Sequence, residues 1–307
     1  MDNNQHLFNE YVLDPIPAAH WRNGEPIPDT KIGFCETCGF YHVTPYPSAE
    51  YLSGYYQQYE MPTAQENLAE LARFLARNVG PDEKIVDIGC GDGAFLRELD
   101  LLGYKNLHGF DQSPGLERAK KLGFGNFHNA SVWDYLAQQK DAGGADARVL
   151  VMVNVLEHVT EPLDLLRQIW EILPPDGLLC LVVPNDFSPL QQAFLKAKQH
   201  RPWFVCLPDH VNYFSFATLE SALAKSGFAV SAKTALFPLE MLLLQDLDYI
   251  ETPSLGPVAH QRRVMFEKNI KAAGMPEVLD QFYSTLANGG HGREIIMLAR
   301  KVTSADA

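Results

Sequence analysis

The chain is short of cysteine, of basic residues and of long apolar runs, and each shortage narrows its class. Five cysteines, at 35, 38, 90, 180 and 206, are too few and too irregularly spaced for a disulfide scaffold, and they suit a reducing compartment. Its 25 lysines and arginines face 38 aspartates and glutamates, which leaves a net charge of −13. Such a balance repels phosphate backbones and anionic headgroups, so neither nucleic acid nor a membrane is an expected partner. The longest apolar runs, around 149–155 and 177–184, fall far short of the roughly 20 residues of a membrane span. The opening stretch MDNNQHLFNEYVLDP lacks the basic start and apolar centre of a secretory signal. A soluble, cytoplasmic protein with a small-molecule partner is the resulting expectation.

What the chain does have is an ordinary globular composition, 46% hydrophobic over 307 residues, enough for a core of one large domain or two smaller ones. Residues 11–62 are rich in proline, tyrosine and glycine and read as loops and short strands. From there the pattern changes. Leu68, Leu71, Ala72, Leu75 and Val79 follow helical spacing, and short apolar runs at 84–89, 106–111, 126–131, 147–154 and 178–184 then alternate with helical stretches. That alternation predicts an α/β doubly wound, Rossmann-like sheet, which runs at 228–234 and 294–301 would bring to seven strands. The expected divisions are an accessory segment over 1–62, a core over 63–239, and a helical insertion with the last core strand over 240–307.

The most informative motif is Val86-Asp87-Ile88-Gly89-Cys90-Gly91-Asp92-Gly93, placed where a strand hands over to a helix. Glycines there allow a sharp turn and close approach of a ligand. Asp111 follows Gly89 by 22 residues, at the end of the next strand, where a carboxylate can accept both hydroxyls of a ribose. A nicotinamide enzyme would share this layout, but its glycines are spaced G-x-G-x-x-G and these are G-x-G-x-G. Asp87 would also crowd a pyrophosphate, whereas it suits a cationic ligand.

Over about residues 64–235 the chain resembles the class I S-adenosylmethionine (SAM) methyltransferases. VDIGCGDG is similar to that family's first motif, FDQS (110–113) to the acidic end of its second strand, and residues 153–185 to its fourth-motif block. The resemblance implies SAM as cofactor. It places Asp87, Gly89 and Gly91 by the methionyl part, with Cys90 as a small residue of the same cofactor-binding loop, and Asp111 with Gln112 at the ribose. Ser131 and Val132 then border the adenine, and the Asn154 backbone lies near the sulfonium. Two further motifs, Leu156-Glu157-His158-Val159 and Asp209-His210-Val211-Asn212-Tyr213, resemble a sugar and small-molecule subgroup with an N-terminal zinc-ribbon-like segment.

For catalysis the resemblance points to His210 first and His158 second, since imidazole takes up a proton near neutral pH. A structural histidine bonded to a carbonyl is the competing reading for each. The subgroup acting on sugar carbons has Tyr-His-Glu-His where this chain has Leu207-Pro208-Asp209-His210, so the tyrosine is missing. Tyr56, Tyr59, Tyr213 and Arg293 are candidate acceptor contacts. Cys35 and Cys38 form half of a zinc ribbon; a second cysteine pair is absent, and the spacing of His6, His20 or His42 does not require any of them to complete it. A metal-free vestige is the expectation ahead of zinc. The expected activity is methyl transfer to a small polar acceptor, a sugar or nucleotide-linked sugar. A catalytically silent SAM-binding protein and a methyltransferase for a quinone-like or protein acceptor are the alternatives.

Overall fold

A computed structural model describes residues 6–21, 26–58 and 67–303. Two sheets organise them. The larger has seven strands: β4 (Ile85–Ile88), β5 (Leu107–Asp111), β6 (Asn126–Asn129), β7 (Val149–Val153), β8 (Leu178–Pro184), β10 (Phe228–Ala235) and β11 (Glu294–Lys301). Their order across the sheet is β10-β11-β8-β7-β4-β5-β6, with β11 antiparallel to both neighbours and the β6-to-β8 block parallel. The smaller sheet joins β1 (Phe8–Leu13), β2 (Lys31–Cys35) and β3 (Phe40–Thr44) to the two-residue strand β9 (Asn212–Tyr213).

Sequence explains the layers. Strands β4, β7 and β8 lie between helices on both faces, so they are continuous rather than alternating apolar runs, and nearly every residue in them is buried. At the edge, β6 (Asn-Phe-His-Asn) is mostly exposed and polar, which blunts it against pairing with another chain. The covering helices carry clear start signals. Ser131, Ser188 and Ser215 each cap one through a reciprocal box with the residue three positions on. One helix opens on Pro162. Its Leu165, Leu166, Ile169 and Ile172 pack onto the sheet.

The helical stretch between β10 and β11 has its own apolar cluster around Phe237, Leu279 and Tyr283. It is tied back to the core by a buried Arg263, which donates to Asn67 Oδ1 at 2.8 Å and pairs with Glu267 at 3.2 Å. Among the described residues no helix is long and apolar enough to cross a membrane.

Candidate active site

At the C-terminal ends of the parallel strands, where open α/β sheets place their ligands, lies a cavity of about 530 Å³. Its floor is the turn after β4. Gly89 has φ +80, a conformation that L side chains rarely adopt, and a Cβ there would stand 2.4 Å from Val155 Cγ2. Its N–H donates to the Phe110 carbonyl at 2.8 Å, which ties the turn to β5. Gly89→Ala is therefore expected to abolish most of the thermal stabilisation that S-adenosylhomocysteine gives; an undiminished shift would show that the turn tolerates the methyl group.

Asp111 ends β5 on the cavity wall. Its Oδ2 accepts the Gly91 N–H at 2.7 Å and its Oδ1 accepts the Ser113 N–H at 2.6 Å, so the carboxylate is held in one orientation. Gln112, Ser131, Val132 and Trp133 continue that wall. Ser131 is occupied as a helix cap, bonding Asp134 through both its hydroxyl and its N–H, so what it offers the cavity is shape. Asn154 adopts φ +53 at the end of β7 and lines the opposite side.

The far side is polar and aromatic. A short turn at Leu156–His158 presents Glu157 and His158, and the segment before β9 brings in Asp209 and His210. The His158 and His210 rings lie 5.1 Å apart. His158 Nδ1 is 2.5 Å from the Asp209 carbonyl. A carbonyl can only accept, so Nδ1 carries a proton, and Nε2 is the ring nitrogen turned toward Glu157. Burial pulls this imidazole down, but the Glu157 and Asp209 carboxylates and two carbonyl contacts outweigh it and hold it above the ordinary histidine value. Burial pushes the Glu157 carboxyl up to about 7 against the pull of His158. Tyr56 stands over this corner, its ring 5.9 Å from His158 and its hydroxyl 3.3 Å from the Asp209 carbonyl.

The turn is pinned from behind. Asn212 Nδ2 donates to the carbonyls of Leu156 at 3.1 Å and Val159 at 2.6 Å, and Tyr46 donates to its Oδ1 at 2.7 Å. Val211 N–H reaches the Glu157 carbonyl at 2.9 Å. The smaller sheet is thus the back wall of this corner.

Several residues singled out from sequence lie elsewhere. Asp87 is buried beneath the turn and does not line the cavity; burial, then the nearby Asp111, pushes its carboxyl up to about 8. Cys90 packs into the core, and Gly91 acts through its bond to Asp111 rather than as a cavity surface. Tyr213 faces inward because β9 joins the smaller sheet; its hydroxyl donates to the His210 carbonyl at 2.8 Å, holding that residue from below. Arg293 is drawn 3.1 Å from the buried Glu240 and stays off the cavity, while the next residue, Glu294, lines it. Tyr59 lies outside the described residues, as does the boundary at 62/63. The sequence reading missed Glu157, Asp209 and Trp133, although each stands inside or beside a motif already noted.

Cys35 and Cys38 do find further donors. His6 and His42 join them, with one ligand atom from each of the four within 4.8 Å of the others. His6 Nδ1 is 3.5 Å from Cys35 Sγ and 3.4 Å from Cys38 Sγ. The His42 Nδ1–H donates to the Val43 carbonyl at 2.7 Å, and its buried Nε2 has no partner among the described residues. His20 is turned away, its Nδ1 3.2 Å from the Val205 carbonyl.

The sheet order, the glycine turn after its central strand and the acid at the tip of β5 together define a class I methyltransferase fold. The chain belongs to the methyltransferase-domain family, which matches residues 57–233. It is 29% identical over 132 residues to a ubiquinone biosynthesis O-methyltransferase of Xanthomonas campestris, covering 41% of this chain and 53% of that protein. It is 31% identical over 108 residues to human methyltransferase-like protein 27, covering 35% and 43% respectively. The chain spans about half the length of the curated relatives it matches. In fold it is similar to the 1,6-didemethyltoxoflavin-N1-methyltransferase of Burkholderia thailandensis, with a TM-score of 0.50 at 13% identity, covering 91% of this chain and 99% of that one.

Proposed function

We propose that the protein transfers a methyl group from SAM to a hydroxyl of a small polar acceptor. The observation that carries this is one cavity with two chemically different ends. A glycine turn and an oriented carboxylate lie at one end, and two histidines with two carboxylates lie at the other. On this reading Asp111 accepts the ribose hydroxyls, Val132 and Trp133 flank the adenine, and Gly89 with Asn154 faces the methionyl part. The leaving thioether is already a good one, so the protein contributes alignment and a place for one proton. His210 is the first candidate to take it, and His158 the second.

A sugar or nucleotide-linked sugar is the acceptor that the two histidine motifs favour. The curated relatives named for ubiquinone biosynthesis favour a quinone-like acceptor as a second reading. Incubating the protein with methyl-labelled SAM and panels of both acceptor types is the direct test. His210→Ala is expected to lower kcat by about 10²-fold with little change in SAM affinity, as loss of a proton acceptor does. No labelled product with any acceptor would leave a silent SAM-binding protein.

For the smaller sheet we propose a structural zinc ion on Cys35, Cys38, His6 and His42. A tetrahedral ion with bonds of about 2.0–2.3 Å needs donors roughly 3.3–3.8 Å apart, and the contacts of His6 with both sulfurs fall in that range. His42 supports the same reading, because metal-bound imidazoles commonly donate their other N–H to a carbonyl. Four protein donors leave no open position, so the ion would be structural rather than catalytic.

A further inference from the structure

We propose that Glu157, His158 and His210 form a divalent-cation site at the acceptor end of the cavity, and that the acceptor presents two adjacent oxygens to it. The inference rests on the methyl-transfer reading and sharpens its substrate class.

The geometry starts with Glu157. Its side chain is 1% exposed, and neither carboxylate oxygen accepts a hydrogen bond among the described residues. A buried carboxylate without donors is costly, and a bound cation is the most direct way to offset the cost. One ligand atom from each of Glu157, His158 and His210 lies within 4.8 Å of the other two. His158 already has the orientation of a metal ligand. Its Nδ1–H is committed to the Asp209 carbonyl, and Nε2 stands 3.8 Å from Glu157 Oε1. Asp209 adds a second carboxylate 3.8 Å from His210 Nε2. Two carboxylates and two neutral imidazoles balance a charge of +2.

Six-coordinate cations with bonds of about 2.1 Å hold neighbouring donors roughly 3 Å apart. The 3.8 Å contact between Glu157 Oε1 and His158 Nε2 therefore needs to close by about 0.8 Å, and no pair of ligand atoms by more than about 1.8 Å, which side-chain rotations into the adjoining cavity supply. Two histidines and one carboxylate on one face leave three positions open, two for the acceptor and one for water. Vicinal oxygens, as in a cis-diol sugar or a catechol, fill two such positions. The bound hydroxyl loses its proton to Asp209, and the oxygen forms its bond to the methyl carbon. The carbon–sulfur bond breaks with its electron pair left on sulfur. The sulfonium charge is thereby cancelled, and a methyl ether and a neutral thioether remain. His158 and His210 then serve as ligands, and Asp209 replaces His210 as the proton acceptor.

Mn²⁺ binding, read by electron paramagnetic resonance on the full chain saturated with S-adenosylhomocysteine, tests this. Mn²⁺ prefers oxygen and imidazole to thiolate, so it discriminates against the cysteine cluster. One bound Mn²⁺ per chain is expected. Glu157→Gln and, separately, His210→Ala should each weaken it at least tenfold while S-adenosylhomocysteine affinity stays within twofold. Addition of a cis-diol sugar or a catechol should alter the bound Mn²⁺ spectrum, and the one that does so identifies the acceptor type. Normal S-adenosylhomocysteine binding with Mn²⁺ affinity equal in all three proteins would overturn the cation site and leave the methyltransferase standing. A spectrum changed by neither diol would overturn the chelated acceptor. Failure to bind S-adenosylhomocysteine would overturn the methyl-transfer reading itself, and this inference with it.

Discussion

Replacing Asp111 by alanine is expected to weaken SAM binding by about 100-fold, or roughly 2.7 kcal/mol. The size follows from how the carboxylate is held. Gly91 and Ser113 each donate a backbone N–H to it at 2.7 and 2.6 Å, so it is oriented before a ligand arrives and loses no freedom on binding. A charged acceptor bonded to two ribose hydroxyls loses both contacts together on truncation. The neighbouring Gln112 is an internal control. Its amide is 3.5 Å from Asp134, on the exposed rim, and Gln112→Ala should change affinity less than threefold. Titration calorimetry with SAM measures both. An unchanged Asp111→Ala affinity would remove this residue from the cofactor site. A thermal melt without ligand separates a binding defect from a loosened glycine turn.

The second large effect is expected at the cysteine pair. Cys35→Ser should lower zinc content from about one ion per chain to near zero by elemental analysis. It should also lower the melting temperature by about 6 °C, which corresponds to a loss near 4 kcal/mol for a chain of 307 residues. The reasoning is one of leverage. The four donors close one end of a small sheet whose own apolar cluster, built on Ile32, Val43 and Tyr213, is modest. Strand β3 carries His42, and His42 is paired with Asn212, the residue that pins the Glu157–His158 turn. Loss of the ion should therefore also reduce methyl transfer more than it reduces SAM affinity. A variant with no zinc, an unchanged melt and full turnover would show that the sheet stands without metal.

Much of the larger sheet was legible because burial on both faces leaves a plain signature. The apolar runs of β7 and β8 can be nothing but interior strands beside helices of the Leu165–Ile169 type. Gly89 and Asp111 were legible for a related reason: each sits at a strand end fixed by such a run. What failed to show is what depends on pairing at long range. A two-residue strand such as β9 has no periodicity to read, so the inward turn of Tyr213 and its bond to His210 were invisible. Arg293 stands as a candidate acceptor contact in the sequence because nothing in its neighbourhood announces Glu240, 53 positions away and buried. His6 precedes Cys35 by 29 residues, a separation that no ligand-spacing rule favours over that of His20. Glu157 needed its burial to stand out, because an acid beside a histidine is unremarkable until both oxygens are seen to lack donors.

The smaller sheet also carries a consequence for how the chain is made. Strand β3 pairs with β9 through Tyr41 with Tyr213 and His42 with Asn212, partners that emerge from the ribosome far apart in time. Until residue 213 appears, the outer edge of β3 has backbone groups with no strand to meet them. Pairings of such high sequence separation form late in folding. The glycine turn, by contrast, rests on β4, β5 and β7 and packs against Val155, all of them made well before residue 213. A nascent chain should therefore bind the cofactor analogue before it can build the wall against which an acceptor rests.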